Sequence, residues 1–395
     1  MLSLSKHAAG FFSNLPESAG RKVAIDYLRT FIIVLVLVHH SVLAYVSFGQ
    51  FDRVHYLSST APIVDSQRWV GFDLIVVFND IFMMSLMFFI SGLFVWPSLT
   101  RKGTGPFLRA RLLRLGLPFA VVVTLVMPLA FYPSFRMTGV DPGYLAFWRD
   151  TIMVGPWPAG PPWFVAVLLA FDCVAALVHW AAPRGGKAIR ETTLNVFSRP
   201  LVFFLILVTV SAAAFFPMLL GFGPTLWFVF GPFTVQASRA LHYAAYFFAG
   251  VAVSAYGLDR SVFVPRGPLA RRWMLWALAG LVSFVIFVWI VSHWPPPLGA
   301  FGRWFVIACA AISFAFLALF LRFANRRFAI VESLNDNAYG IYLIHYLFVV
   351  WLQYALLASG LSPIAKGVIV FATVLTLSWG AVAALRRVRA IANVL

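Results

Sequence analysis

The stretch AIDYLRTFIIVLVLVHHS, residues 24–41, decides the fold class. It is almost entirely apolar, and its ionisable side chains lie near its two ends: Asp26, Arg29, His39 and His40. A run of about 20 apolar residues is what a helix needs to cross the hydrocarbon core of a bilayer. The whole chain of 395 residues is 62% hydrophobic and 11% charged, whereas soluble domains carry about 25% charged residues. The sequence therefore predicts an all-α polytopic integral membrane protein and excludes a soluble globular domain.

Ten runs of this kind predict about ten transmembrane helices. They cover approximately residues 24–47, 70–97, 112–132, 162–181, 200–220, 240–257, 273–293, 302–321, 336–358 and 364–385. The region 200–257 is the least regular, because Pro217, Pro224 and Pro232 interrupt it, and a re-entrant segment is the alternative there. We expect a cytoplasmic N-terminal segment at 1–22, one transmembrane domain at 23–386 and a cytoplasmic tail at 387–395.

The formal net charge of +17 is distributed in a regular way along the chain. Twenty-two of the 30 lysines and arginines fall in alternate inter-span segments, and seven fall in the others. Cytoplasmic loops of membrane proteins collect positive charge. The asymmetry therefore predicts that both termini are cytoplasmic, and it explains the positive charge without a nucleic-acid partner.

The first predicted span carries the densest set of intramembrane polar groups, and such groups are functional candidates because they are costly to bury. Asp26 and Arg29 are three residues apart, which allows an ion pair on one helix face. Arg29 and His40 are eleven residues apart, so they share a face and lie about 16 Å apart along the axis. We expect Arg29 near the cytoplasmic surface and His40 deep in the membrane, with His39 rotated by about 100°. A snorkelling arginine and a packing histidine are the alternative interpretation.

Other spans contribute fewer candidates. Asn79 and Asp80 lie in the second span, where a carboxylate could orient an imidazole, and the following Ser91-Gly92 pair favours close helix packing. Arg111 and Arg114 flank the third span and could bind a phosphorylated donor, although a positive-inside flank explains them equally well. The histidines lack HExxH or CxxC companions, so no metal is expected.

These residues together resemble the membrane acyltransferase 3 family. The first span matches its arginine and histidine separated by ten residues, and four further segments follow in the family's order. These segments are FNDIFMMSLMFFISGLF (78–94), RLLRLGLP (111–118), PPWFVAVLL (161–169) and AYGIYLIHY (338–346). The set covers nearly the whole chain. Within the family, the FND and RLLRLGLP segments look most like those of the glucan biosynthesis protein C-like O-acyltransferases.

The resemblance implies an O-acyltransferase that moves an acetyl- or succinyl-class acyl group from cytoplasmic acyl-CoA. The acceptor would be a hydroxyl of an extracytoplasmic carbohydrate or lipid-linked glycan, and the location a bacterial inner membrane. By position, His40 would be the catalytic histidine with Arg29 as its motif partner, and Arg111 and Arg114 would bind the donor. His345 matches a histidine of the family's ninth span. Acyl-CoA would be a cosubstrate, and no permanently bound cofactor is expected.

Three questions stay open at this point. His39 is a second histidine directly before His40, so either of the two could be the catalytic one. Asp80 is the candidate for fixing the tautomer of His40, and the histidine could act as a general base or form an acyl-histidine intermediate. A transporter or flippase that uses the buried His, Arg and Asp residues as a proton or substrate path is the alternative function.

Overall fold

The computed structural model of this chain describes residues 17–182, 196–293, 295–392 and 394. It is 76% helical, which confirms the predicted all-α class. Nine helical segments within the described residues are long and apolar enough to cross a membrane, and the protein is accordingly an integral membrane protein. Of the predicted N-terminal segment, residues 1–16 lie outside the described residues, and 17–22 form the first turns of a helix.

The helices of the described residues fall into two groups along the chain. The N-terminal group comprises α1 Glu17–Val42, α2 Val70–Gly92, α3 Val95–Lys102, α4 Thr104–Arg111, α5 Leu117–Val121, α6 Met127–Arg136, α7 Tyr144–Met153 and α8 Trp163–Ala181. The C-terminal group comprises α9 Pro200–Phe222, α10 Ala240–Tyr256, α11 Pro268–Arg271, α12 Trp273–Val291, α13 Leu298–Phe323, α14 Ala329–Leu356, α15 Pro363–Leu385 and α16 Arg389–Ala392.

The region 200–257 departs from the prediction of two plain spans. An antiparallel hairpin of β1 Trp227–Phe230 and β2 Phe233–Gln236 separates α9 from α10. Gly231 takes a φ of 56° at its tight turn, a conformation that glycine adopts without strain. α10 has 17 residues and a length of about 26 Å, which is shorter than the hydrocarbon core of about 30 Å. The count of ten spans and the cytoplasmic termini stay predictions.

The third predicted span is longer than the sequence indicated. Residues 104–136 are helical throughout, because two π-helical segments, Leu112–Gly116 and Val122–Val126, join α4, α5 and α6. Pro118, Pro128 and Pro133, in the interior of this stretch, have no N–H, and each frees the carbonyl four residues before it. In each case an aromatic side chain donates to that carbonyl: Tyr339 to Arg114 at 2.7 Å, Trp148 to Thr124 at 2.8 Å and Trp351 to Leu129 at 2.9 Å. The carbonyls that the prolines free therefore link this helix to its neighbours, and the span is not broken.

Close backbone contact joins α2 to α10. A Cβ atom on Gly92 would lie 2.1 Å from the Phe247 carbonyl oxygen, and one on Gly250 would lie 2.2 Å from the Phe89 carbonyl oxygen. Both positions therefore require glycine, and the close packing predicted for Gly92 is confirmed. This contact fixes α10 against α2, which carries Asn79 and Asp80.

Candidate active site

Two histidines from distant parts of the sequence meet between α1 and α14. His40 Nδ1 lies 3.1 Å from His345 Nε2, and the two ring centroids are 5.1 Å apart. His345 is fully buried, and its Nδ1 lies 2.7 Å from the Tyr342 carbonyl oxygen. The sequence singled out both histidines but did not predict that they touch.

The hydrogen bonds of this pair order the protons on both rings. A carbonyl oxygen only accepts, so neutral His345 carries its proton on Nδ1 and accepts through Nε2. His40 must then donate from Nδ1, which leaves its Nε2 without a proton. The pair therefore presents His40 Nε2 as a base, with His345 rather than a carboxylate fixing the tautomer.

His40 lies at the end of a helix, and its depth in the membrane stays a prediction. α1 ends at Val42, so both His39 and His40 belong to its last turn. The carbonyls of His40 and Ser41 lie beyond the regular backbone hydrogen bonds of the helix. They accept hydrogen bonds from the Gln353 side-chain amide at 2.8 and 3.2 Å. Val42 packs against Gly367 in the second turn of α15. The pair is therefore close to the helix ends opposite the arginine-rich side.

The loop before α8 packs against the same histidines. The Tyr342 hydroxyl donates to the Pro161 carbonyl oxygen, and Tyr346 stacks edge-on against His40 with ring centroids 4.9 Å apart. Gly160 has a φ of 51°, and a Cβ there would lie 2.7 Å from the Met127 sulfur. The segment that begins PPWFVAVLL is thus part of the wall around the imidazole pair.

Arg29 occupies the other end of the contact between α1 and α14. Its Nη2 donates to Asn335 Oδ1 at 3.0 Å and lies 3.8 Å from Asp26 Oδ1, while Thr30 also donates to Asn335, at 3.2 Å. The Arg29 side chain is 37% exposed. Arg29 and His40 both contact α14, which confirms the shared helix face predicted from their spacing.

The two donor-side arginines differ in their surroundings. Arg111 Nε lies 3.1 Å from the fully buried Asp172 carboxylate, so the charge of Arg111 is already balanced. Arg114 is exposed, and its carbonyl accepts from Tyr339, one helical turn from Asn335 on α14. Arg29 and Arg114 therefore lie at nearly the same level of α14.

Asp80 has a different partner from the one that the sequence suggested. Its carboxylate binds Arg239 through two hydrogen bonds of 2.8 and 2.5 Å, and Arg239 also donates to the Asp80 carbonyl at 3.0 Å. The guanidinium lies over the Phe305 ring at 4.7 Å. The structure does not support the expected role of Asp80 in fixing the tautomer of His40. Arg239 binds the Asp80 carboxylate in a bidentate manner, and the partner of His40 Nδ1 is His345 instead.

The remaining candidates in this region are Asn79 and His39. Asn79 donates to the Leu35 carbonyl at 3.4 Å, which joins α2 to α1 one turn before His39. His39 meets His40 edge-on at 5.2 Å, and its Nδ1 has no hydrogen-bond partner among the described residues. His39 thus lies beside the pair without the ordered hydrogen bonds that define the tautomer of His40.

Sequence reasoning missed two ion pairs whose cations are buried, because it counted Arg239 and Lys366 as loop cations. The second pair joins Lys366 of α15 to Asp65 at 2.7 Å, and both side chains are at most 2% exposed. A lone cation at the start of a span, on the side that should be poor in positive charge, was the available signal. Gln353 was missed as well, because a glutamine inside an apolar helix has no characteristic spacing.

The fold and the site define a largely helical membrane protein with an ordered histidine pair at the end of its first helix. A family model described as acyltransferase domain matches residues 22–383. The chain belongs to the acyltransferase 3 family and is an acyltransferase of groups other than amino-acyl groups. Comparisons with curated proteins and with solved structures gave no match.

Proposed function

We propose that this protein transfers an acyl group of the acetyl or succinyl class from cytoplasmic acyl-CoA to a hydroxyl of an extracytoplasmic carbohydrate or glycolipid. The location that fits this reaction is a bacterial inner membrane. Membership of the family supports acyl transfer. The observation that carries the proposal is the His40–His345 pair, because it leaves one unprotonated ring nitrogen in a fixed position near the helix ends.

The donor phosphates bind at the level of Arg29 and Arg114 in this proposal. Arg29 is 37% exposed and makes one hydrogen bond to a neutral amide, so its guanidinium retains donors for an anion. Arg114 is exposed beside the same helix. Arg111 supports the site through its ion pair with Asp172. The reactive thioester reaches the histidines by extending about 16 Å along α1.

The chemical step needs one base and one proton donor. His40 Nε2 removes the proton of the acceptor hydroxyl as its oxygen attacks the thioester carbonyl carbon. The new C–O bond forms, the C–S bond breaks, and the imidazolium returns the proton to the leaving thiolate to give free CoA. The C-terminus of α1 carries partial negative charge and stabilises the imidazolium that forms in between. An acyl group carried on Nε2 itself is the alternative path for the same atoms.

Replacement of His40 tests this proposal directly. In purified protein with acyl-CoA and an envelope extract as acceptor source, His40→Ala should lower the rate of CoA release about 100- to 10,000-fold. His39→Ala is the matched control and should change the rate less than about tenfold, because His39 lacks the ordered hydrogen bonds of its neighbour. Retention of acyl-CoA turnover by His40→Ala contradicts the assignment, and solute or lipid flux without CoA release favours the transporter instead.

A further inference from the structure

A long apolar groove runs between α9 and α10. It has a volume of about 460 Å³, and every residue that lines it is apolar. The groove extends from Phe203 to Ala214 on α9 and from Ala252 to Leu241 on α10, so it is about 16 Å long. One leaflet of the hydrocarbon core of a bilayer is about 15 Å thick. The groove therefore has the length of one leaflet.

The groove is open toward the membrane. Its rim includes Ile206, Val210 and Leu241, whose side chains are 41 to 50% exposed. Its floor includes Ala245 and Ala249, which are partly exposed, so no other helix of the described residues covers them. Stripes of small residues in membrane helices usually receive a second helix in close contact. Here the space above the alanines is open to the bilayer, where hydrocarbon chains can fill it.

Two exposed arginines lie beside one end of this groove. Phe197 lines that end, and its carbonyl accepts a backbone hydrogen bond from Val262 at 2.7 Å. This bond brings together the segment before α9 and the segment after α10. Arg199 lies two residues after Phe197, Arg260 lies two residues before Val262, and both are exposed. Because the groove is one leaflet long, these arginines lie at the depth of the lipid headgroups on the arginine-rich side.

The positive charge at this end of the groove is not balanced by the described residues. Neither the Arg199 nor the Arg260 side chain has an ion-pair or hydrogen-bond partner among them. The neighbouring Asp259 carboxylate is already paired with Arg21 at 2.7 Å. Basic residues near the membrane surface attract anionic lipids, and the planar guanidinium group matches the geometry of a phosphate. The end of the groove is thus complementary in charge to an anionic headgroup.

We propose that this groove binds one anionic phospholipid, with an acyl chain between α9 and α10 and its phosphate at Arg199 and Arg260. Gly250, which contacts α2, lies on the side of α10 opposite the groove. The lipid is therefore a structural ligand that packs α9 against α10, and it does not enter the site of His40 and His345. This binding does not depend on the proposed acyl transfer.

The test uses phosphatidylglycerol as the anionic probe and phosphatidylcholine with the same acyl chains as the zwitterionic reference. The full chain is purified in detergent, and native mass spectrometry measures how many molecules of each lipid stay bound as their concentration is raised. We expect one phosphatidylglycerol to bind about 10- to 30-fold more tightly than phosphatidylcholine, as two basic residues predict. It should also raise the unfolding temperature by at least about 2 °C more than phosphatidylcholine does, because a ligand of the folded state stabilises it.

Three variants separate the headgroup from the acyl chain. Arg199→Gln/Arg260→Gln should bring the affinities for the two lipids within about threefold of each other. Arg322→Gln/Arg389→Gln is the matched control, because it removes the same charge from two other exposed arginines on the same side. Its ratio of affinities should stay within about twofold of the wild-type ratio. Ala249→Phe places a ring in the groove and should weaken the binding of both lipids at least about tenfold.

The comparison of two lipids within one variant does not depend on how much of that preparation is folded. Equal affinity of the wild type for the two lipids overturns the proposal. An unchanged ratio in Arg199→Gln/Arg260→Gln, or an equal loss in the control variant, shows general attraction of anionic lipid and overturns it as well. Undiminished binding of phosphatidylglycerol by Ala249→Phe excludes the groove as the site of the acyl chain.

Discussion

The two contacts between α1 and α14 differ in chemistry although they lie on one helix face. At one end, the permanently charged Arg29 is 37% exposed and binds the neutral amide of Asn335. At the other end, His40 meets the fully buried His345 in a pair without a carboxylate. An exposed fixed charge is suited to binding an anion, and an ordered neutral imidazole is suited to moving a proton. The comparison separates donor binding from catalysis along a single pair of helices.

The largest effect should follow loss of the hydrogen-bond acceptor at His345. His345→Met keeps the approximate size of the side chain but offers no good acceptor, so His40 Nδ1 loses its partner on α14. We expect kcat to fall at least about 100-fold with little change in the KM for acyl-CoA, as seen in general when a tautomer partner is lost. The measurement is steady-state CoA release at several acyl-CoA concentrations.

His345→Gln serves as the control for packing, because its amide oxygen can accept from His40 Nδ1. It should retain at least about tenfold more activity than His345→Met. Equal losses of activity in the two variants would show that His345 only fills space. The role of the His40–His345 contact in moving a proton would then be contradicted.

A smaller effect of a different kind is expected at Arg29. Arg29→Met removes the exposed guanidinium, so the KM for acyl-CoA should rise about 10- to 100-fold while kcat changes little. This range corresponds to the loss of about 1.5–3 kcal/mol for a hydrogen bond to a charged group. Raising the ionic strength should increase the wild-type KM but hardly affect the variant.

Arg21 provides the matched control for this charge effect. It lies on the same helix and is paired with Asp259 at 2.7 Å, away from α14. Arg21→Met should leave the KM for acyl-CoA within about twofold of the wild-type value. A fall in kcat at constant KM in Arg29→Met would reverse the roles of the two contacts.

The smallest effect is expected from Tyr339→Phe. It removes the hydrogen bond to the Arg114 carbonyl that Pro118 leaves free. The free energy of unfolding should fall by about 1 kcal/mol, and the KM for acyl-CoA should rise slightly as the Arg114 segment loosens. Trp351→Phe loses the corresponding bond to Leu129 and should lower the free energy of unfolding similarly without changing the KM for acyl-CoA.

Thermal unfolding in detergent measures the stability of the two variants, and steady-state kinetics measures their KM for acyl-CoA. An equal change in KM in both variants would contradict a local role for Tyr339.

The sequence predicted well what depends on periodicity within one helix. Apolar runs located the spans, and the spacing of Arg29 and His40 placed them on one face. It did not predict which helices meet, because His345 is 305 residues from His40 and Arg239 is 159 residues from Asp80. Asp80 was consequently assigned to the wrong partner. The sequence also did not predict where α1 ends, since that depends on the distant amide of Gln353.

The matched spacing along α1 and α14 has a consequence for sequence change. Arg29 and His40 are eleven residues apart, and their partners Asn335 and His345 are ten apart on a helix with the same rise. Most residues between them can be exchanged for others of similar shape. One inserted or deleted residue, however, rotates everything beyond it by about 100° and shifts it by about 1.5 Å. Both contacts cannot then form together, so this interval tolerates substitution and does not tolerate a change of length.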